Sequence, residues 1–449
     1  MDVIGLIPQF GGVIWTLIAF VVALSVIVAI HEYGHYIVGR WTGIEADVFS
    51  LGFGPVLFSR VDRHGTKWQF ALLPFGGYVK FNGDSNAASG KDVEAMEATP
   101  PEELRHTMHG APLWARTLTV AAGPAFNFVL SILVFAAVVL NNGIAEDPWV
   151  VGDVRAVPDS QFQDLRTGDQ ILSVGGQDVP AEDEVTSYEA FEAAIPRTRD
   201  LDYLVRRDGS ERVVTGPYLW PPIVAGLSPQ SAAIDIEMER GDVITAVDGN
   251  PIFAFEQLKE VVESSDGRVL LLTVWRDGEV IDFALKPKRT DEPQPEGGFK
   301  TYWRIGIAGG LIFEPATSTP GLAEALWDGV LQTGRIITGS LSGLWHMVTG
   351  AISTCNMSGP IGIAQVSGEM ASQGAQNFIW FIAVLSTAVG LLNLFPVPAL
   401  DGGHLLFYAY EAVAGKPPSD GALRILMAAG ISLVLALMIF ALGNDLFCP

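Results

Sequence analysis

The residues best suited to catalysis form the segment His31-Glu32-Tyr33-Gly34-His35. Two histidines four positions apart project from one face of a helix, so their ring nitrogens can bind one metal ion between them. A glutamate directly after the first histidine can act as a general base beside that metal. The spacing therefore predicts a metal-dependent hydrolytic site with His31 and His35 as ligands and Glu32 as the base.

These ionisable side chains follow a segment long enough to cross a membrane. Residues 12–30 contain no charged side chain, and a transmembrane helix needs about 20 consecutive apolar residues. Ionisable groups are costly to bury in such a helix, because they lose their hydration. Their presence here favours a functional site over a chance match to the motif.

A catalytic zinc site usually has three protein ligands, so a third must come from elsewhere in the chain. Asp401 is the favoured candidate, because it follows two prolines that end the third apolar helix. His404, three residues later, is the rival ligand, and an alternative role for Asp401 is to cap a helix over residues 402–414. Asn393 could bind the substrate backbone or form a hydrogen bond between helices.

Composition excludes several classes of function. The chain has 449 residues, of which 49% are hydrophobic, and a net charge of −23, which argues against nucleic-acid binding. Its two cysteines cannot form a thiolate zinc cluster. Cys355 and Cys448 could pair only if both face an oxidising compartment.

Four apolar segments are predicted to cross the membrane, at about 12–37, 115–140, 376–396 and 423–443. Lysine and arginine concentrate in the loops that stay in the cytoplasm. The two termini, 1–11 and 444–449, contain none. The first and third loops contain Arg40, Arg60, Arg63, Lys67, Lys80, Lys91, Arg105, Arg116, Lys416 and Arg424. This pattern predicts cytoplasmic first and third loops, with both termini and the large second loop outside.

The large second loop contains an internal repeat. Residues 165–180 resemble residues 238–252, and residues 201–214 resemble residues 271–283. Each copy combines a Gly-Asp turn, a strand, a glycine turn, a helical stretch and a hairpin at Asp-Gly. Two β-rich modules of about 70 residues are therefore predicted, each either a peptide-binding domain or a spacer.

Three further segments complete the outline. Residues 48–60 and 67–81 alternate in polarity and predict two β-hairpins, whose apolar strands would dip into the membrane or cover the active site. Residues 290–300 are rich in proline, glycine and charge and predict a linker. Residues 321–350 predict amphipathic helices.

Taken together, these motifs resemble the site-2 protease family of zinc intramembrane metalloproteases, and within it the bacterial type that regulates sigma-E. The resemblance covers nearly the whole chain. It is carried by HEYGH (31–35), LLPFGGYVK (72–80), GPAFN (123–127), SGPIGIAQ (358–365) and NLFPVPALDGGH (393–404). The two repeats resemble PDZ domains, and Gly226 and Leu227 match the peptide-carboxylate loop of such domains.

The resemblance implies a fold and a set of site residues. The fold would be a polytopic α-helical membrane protein with four transmembrane helices, re-entrant β-hairpins and two inserted PDZ-like domains. One Zn²⁺ ion would be bound by His31, His35 and Asp401, with Glu32 as catalytic base. Substrate would contact Asn393 and Gly76, Gly77 and Tyr78. The implied boundaries are 1–40, 41–114, 115–142, 143–220 and 221–290 (the two PDZ-like domains), 291–375, 376–400 and 401–449.

The resemblance also implies a biological role. The substrate would be a single-span membrane protein, for which an anti-sigma factor already trimmed outside the membrane is the first candidate and remnant signal peptides the second. The protein would lie in the bacterial inner membrane among its lipids, with the termini and PDZ-like domains periplasmic and the active site towards the cytoplasm. Two other classes remain open, an ion transporter and a non-catalytic scaffold that displays PDZ modules.

Overall fold

The computed structural model describes residues 6–85, 93–158, 163–180, 185–294 and 298–448. Residues 1–5, 86–92, 159–162, 181–184, 295–297 and 449 lie outside the described part of the chain. They belong to the predicted first domain, the first loop, the first PDZ-like domain, the linker and the C-terminus. The chain forms two compact units, one from Met1–Val138 with Leu322–Pro449, the other from Val139–Gly321.

The first unit is built mainly from helices. They are α1 (Leu6–Thr42), α2 (Val93–Ala98), α3 (Leu113–Asn142, which continues into the second unit), α7 (Leu322–Val348), α8 (Pro360–Ser372), α9 (Ala375–Asn393), α10 (Asp401–Ala414) and α11 (Asp420–Phe447).

Four of these helices, α1, α3, α9 and α11, are long and apolar enough to cross a membrane, as the sequence predicted. Ala23 and Ile27 of α1 pack against Ile382 of α9. The remaining faces keep large apolar side chains exposed, among them Val13 and Ile18 of α1. Exposed apolar faces on helices whose backbone bonds are internally satisfied suit a lipid environment.

The chain between α9 and α10 is a short, tightly packed reversal. Pro396 and Pro398 interrupt the helical hydrogen bonds, and α10 begins at Asp401. Gly403 packs against this reversal, where a Cβ would overlap the carbonyl oxygen of Val397 and the Cα of Pro398. The glycine therefore lets the start of α10 fold closely onto the chain that precedes it.

Strands β1 (Ala46–Val61) and β2 (Lys67–Phe81) form one sheet instead of the two hairpins predicted. Both strands bend in the middle, so that the first half of β1 pairs with both halves of β2: Ser50 lies opposite Gln69 and also opposite Tyr78. Gly52, with φ at +91°, occupies the bend of β1 in a conformation that favours glycine. The hairpin prediction was wrong because the first half of β1 pairs with two separate parts of β2, and an alternating sequence does not reveal such a double pairing.

The second unit contains two copies of the same arrangement, in agreement with the predicted repeat. The first copy has β5 (Gln170–Val174), β6 (Gln177–Asp178), α4 (Val185–Ala194), β7 (Asp200–Arg207) and β8 (Ser210–Pro217). The second has β10 (Val243–Val247), β11 (Asn250–Pro251), α6 (Phe255–Glu263), β12 (Leu270–Arg276) and β13 (Glu279–Leu285). The sheet orders are equivalent, β6-β5-β7-β8 and β11-β10-β12-β13.

Shorter elements complete this unit. They are β3 (Ile144–Ala145), β4 (Val151–Val154), β9 (Gly226–Leu227), α5 (Ala232–Asp235), β14 (Lys288–Pro293), β15 (Phe299–Arg304), β16 (Ile307–Ala308), β17 (Phe313–Pro315) and β18 (Thr317–Ser318).

The segment predicted as a linker contributes to the β structure. Strands β14 and β15 pair over most of residues 290–300, with Thr290 opposite Tyr302. Ile305 completes the core of the second copy, and Ile312 and Phe313 complete the core of the first. The domain boundary predicted at residue 290 is therefore too early. The polar composition of residues 290–300 does not indicate strands, and the apolar residues that complete the two cores come after this segment.

Candidate metal centre

The structure brings together the three side chains that the sequence proposed as ligands. The Nε2 atoms of His31 and His35 are 3.2 Å apart. Oδ2 of Asp401 lies 3.1 Å from the Nε2 atom of His31 and 3.5 Å from that of His35. Within the described residues, these three side chains form a group able to hold one metal ion. His404 is not part of that group.

The spacing and burial of these atoms fit a zinc ion. Tetrahedral ligand atoms at about 2.0–2.1 Å from zinc are about 3.3 Å from one another, close to the three distances observed. The side chains of His31, His35 and Asp401 are only 11%, 12% and 18% exposed. Oδ2 of Asp401 is buried and has no hydrogen-bond partner among the described residues, so it is available to bind a cation.

The fold explains why Asp401 reaches the histidines. It is the first residue of α10, and Leu400 occupies the N-cap position. The alternative in which Asp401 is the N-cap residue of this helix is therefore wrong, because Asp401 lies one residue after the N-cap position. Its carboxylate points to the histidines from the turn that the prolines create.

Helix α3 forms a further wall of the centre. Nδ1 of His35 lies 2.9 Å from the carbonyl oxygen of Thr119. This oxygen can accept a hydrogen bond from a proton on Nδ1, which leaves Nε2 unprotonated for a metal. A Cβ at Gly123 would overlap Nε2 of His35. Gly123 belongs to the GPAFN motif, but neither its contact nor that of Thr119 could be predicted from local sequence.

Glu32 lies between the metal centre and strand β2. A Cβ at Gly77 would lie 3.1 Å from Cγ of Glu32 and 2.9 Å from Val28, so only glycine allows the strand to approach α1 this closely. Gly76 has φ at +141° and packs against Phe53, and Tyr78 also stacks on Phe53. The Gly76–Tyr78 segment is thus adjacent to the predicted base.

Asn393 is the last residue of α9, and its Nδ2 donates to the carbonyl oxygen of Val389 at 3.1 Å. This bond lies within one helix, and no bond from Asn393 to another helix is observed among the residues that the structure describes. A role in substrate binding stays a prediction.

An ion pair that sequence reasoning missed holds α10 against α3. Arg116 donates two hydrogen bonds to Glu411, at 3.1 and 2.7 Å, and its guanidinium lies over the ring of Tyr408. Both charged side chains are less than one-fifth exposed. The local sequence identifies Arg116 only as a positive charge that indicates topology, because its partner is 295 residues away in the chain.

Gly226 and Leu227, predicted as a peptide-carboxylate loop, form strand β9 in the second unit. They pair with Ala308 and Ile307 of β16, so one edge of this segment is occupied by the chain itself. Peptide binding at these residues stays a prediction.

Comparison with known proteins gives a consistent assignment. The model of "Peptidase family M50" matches residues 19–437. A protein of Rhizobium meliloti that is named as a zinc metalloprotease is 37% identical over 437 residues, which cover 96% of each chain. A similarly named protein of Agrobacterium fabrum is 34% identical, covering 96% of this chain and 95% of its own. The regulator of sigma-E protease RseP of Salmonella typhimurium is 30% identical, covering 97% of this chain and 99% of its own.

Proposed function

The chain belongs to peptidase family M50 and is a zinc metalloprotease of the site-2 type, and we propose that it cleaves membrane-spanning segments of other proteins within the bilayer. The observation that carries this proposal is the position of the metal centre on a helix able to cross a membrane. His31 and His35 lie inside the apolar span Gly12–Thr42. At 1.5 Å per residue they are about 10–17 Å from its C-terminal end.

The residues of the centre have distinct tasks in this reaction. His31, His35 and Asp401 hold the metal, which when bound supplies an electrophile and lowers the pKa of water. Glu32 accepts a proton from the attacking water and delivers it to the leaving amine. The side chain of Asn393 is a donor for the substrate carbonyl or backbone.

Peptide bonds in a transmembrane helix are shielded by their own hydrogen bonds, so the substrate has to unwind before cleavage. The exposed amides then need new partners in a medium without water. The segment Gly76–Tyr78, which packs beside Glu32, is suited to pair with an extended substrate as an added strand. We assign it this role.

The substrate class that fits best is a single-span membrane protein whose external domain has already been removed. An anti-sigma factor is the first candidate, because a relative is named as a regulator of sigma-E protease. Remnant signal peptides are the second candidate. The charge distribution of the loops supports an inner-membrane protein with periplasmic termini and the metal centre towards the cytoplasm. The repeats of the second unit would then be periplasmic PDZ-like domains that select trimmed substrates.

The test combines two enzymes with two reporters in cells. Wild type or Glu32→Gln is co-expressed with a single-span reporter, either intact or without its external domain, and fragments are separated by electrophoresis. We expect wild type to cut the trimmed reporter and Glu32→Gln to reduce cleavage by at least about a hundredfold, since general-base catalysis contributes 10²–10⁴-fold. Zinc content of the purified proteins should be equal, because Glu32 is not a ligand.

Glu279→Gln, a change at an exposed position of β13, is the matched control and should cleave normally. Turnover by Glu32→Gln would contradict the assignment of the base. Lack of any fragment from several trimmed reporters would contradict the proposed cleavage within the bilayer.

A further inference from the structure

Asn127 contacts one of the two histidines of the metal centre. It lies in α3, one turn after Gly123, and is fully buried. Its side-chain nitrogen Nδ2 is 3.2 Å from Nδ1 of His31. Its side-chain oxygen Oδ1 is buried and has no hydrogen-bond partner among the described residues. A buried amide oxygen without a donor is unfavourable and calls for a physical explanation.

The chemistry of a histidine ligand supplies that explanation. Neutral imidazole carries its proton on one ring nitrogen and binds a metal through the other. Nε2 of His31 faces Asp401 and His35, so the proton belongs on Nδ1. A half-turn of the Asn127 amide exchanges its oxygen and nitrogen, and Oδ1 then accepts the Nδ1–H of His31.

The surroundings of Asn127 hold it in place for this role. Its backbone carbonyl accepts a hydrogen bond from Ser386 of α9 at 3.0 Å. A Cβ at Gly390 would lie 3.2 Å from the Cβ of Asn127, so α9 packs closely against this part of α3. His35 has the equivalent arrangement, with its Nδ1 facing the Thr119 carbonyl. Helix α3 thus orients both histidines.

We propose that Asn127 is a positioning residue for zinc, in which Oδ1 accepts the Nδ1–H of His31 and fixes the ring so that Nε2 points to the metal. This inference rests on the metal centre of the proposed function. Hydrogen-bonding partners of ligating histidines typically change metal affinity by 10–100-fold when they are removed.

The experiment measures zinc affinity, independently of proteolysis. Full-length wild type, Asn127→Leu and Asn127→Asp are purified in detergent, stripped of metal and titrated with Zn²⁺ against a chromogenic chelator. Leucine preserves the volume but has no acceptor, and we expect it to weaken binding about 10–100-fold. Aspartate keeps an acceptor at the same place. The Asn127→Asp variant is therefore expected to retain at least about one-tenth of the wild-type zinc affinity.

Ser131→Ala is the matched control. Ser131 is equally buried in α3 and donates to the Asn127 and Ala383 carbonyls. Among the described residues it forms no hydrogen bond with either histidine, so the zinc affinity of the Ser131→Ala variant should equal that of wild type. Thermal unfolding of the metal-free proteins separates loss of fold from loss of affinity. Should Asn127→Leu fail to fold, Asn127→Ala compared with Asn127→Asp makes the same distinction.

Three results would overturn the inference while leaving the metal centre intact: wild-type affinity in Asn127→Leu, equal losses in the leucine and aspartate variants, or an equal loss in Ser131→Ala. Lack of zinc binding by wild type would instead overturn the proposed centre and this inference together.

Discussion

At the scale of residues, the proposed metal centre depends on the absence of a side chain at Gly123 as well as on its three proposed ligands. His31 and His35 share a helix face because they are four residues apart. Gly123 leaves the space in which the His35 ring lies, since a Cβ there would overlap Nε2 and come within 2.8 Å of Cε1 of His31. A ligand set is useful only when its neighbours allow the rings to converge.

Gly123→Ala is therefore expected to displace His35 and weaken zinc binding by more than about tenfold. The measurement is metal content after equilibration with a zinc buffer, compared with wild type. Helix formation itself should not suffer, because alanine is the better helix former by about 1 kcal/mol.

The control is Gly334→Ala in α7, where an added Cβ meets nothing within 4 Å. It should bind zinc as wild type does. Equal zinc content in Gly123→Ala and wild type would show that the centre can accommodate a methyl group, contrary to the packing described.

At the scale of elements, each of the two copies in the second unit contains its own buried ion pair, at equivalent positions. Asp169, just before β5, accepts two hydrogen bonds of 2.6 Å from Arg207 of β7. Asp242, just before β10, accepts bonds of 2.6 and 2.7 Å from Arg276 of β12. Both aspartates are fully buried. The pair joins the Gly-Asp turn to the closing hairpin, the two features that identified the repeat.

Arg207→Ala should lower the free energy of opening of the first copy by about 3 kcal/mol, because it leaves the buried Asp169 carboxylate without its charged partner. Hydrogen exchange of β5 and β7 measures this. Arg206→Ala is the control: Arg206 is 45% exposed and pairs with Glu211, so its loss should cost less than about 1 kcal/mol. Equal protection in both variants would contradict a stabilising role for the pair.

The same pair predicts a dependence on pH. Burial alone would raise the pKa of Asp169, but hydrogen bonds from Arg207 and from the backbone amide of Arg166 lower it below its ordinary value. A carboxyl whose pKa is lower in the folded state stabilises the fold above its unfolded value of about 3.9. Protection of the first copy should therefore decrease as the pH falls below about 4, and Arg207→Ala should reduce this dependence.

At the scale of the whole molecule, the end of the last helix is tied to the chain before α8. Cys355 and Cys448 form a disulfide. The Asp445 carboxylate accepts backbone hydrogen bonds from Gly359, Ile361 and Gly362 at the start of α8. Helix α8 in turn packs on α1, where a Cβ at Gly368 would lie 2.9 Å from Cα of Thr16. The C-terminal tether thus supports the helix that carries the histidines.

This disulfide provides a test of the proposed orientation. Disulfides persist in oxidising compartments, so Cys355 and Cys448 should be joined in cells if both face the periplasm. Alkylation of the denatured protein with a large maleimide should shift its mass only after reduction. The Cys448→Ser variant, with one free thiol, should shift without reduction. Free thiols in the wild type would place the C-terminus on the reducing side and contradict the orientation.

The sequence by itself predicted the membrane helices, the shared histidine face and the repeat, all of which depend on local periodicity or spacing. Four long apolar segments predicted the four candidate membrane helices, and the i, i+4 histidines predicted a shared face of α1. The repeat was visible because its turns require particular residues, such as the Gly-Asp and Asp-Gly pairs. These signals are carried by neighbours along the chain, so no tertiary contact is needed to recognise them.

Only the tertiary structure decided the features that depend on contacts between distant segments. It joined Asp401 to histidines more than 360 residues earlier, and it placed Asn127 and Thr119 behind the two rings. It also showed one bent sheet where two hairpins were predicted, and paired strands where a linker was predicted. The physical reason is that pairing and orientation depend on which surfaces meet in three dimensions, and those partners leave no periodic pattern in the sequence.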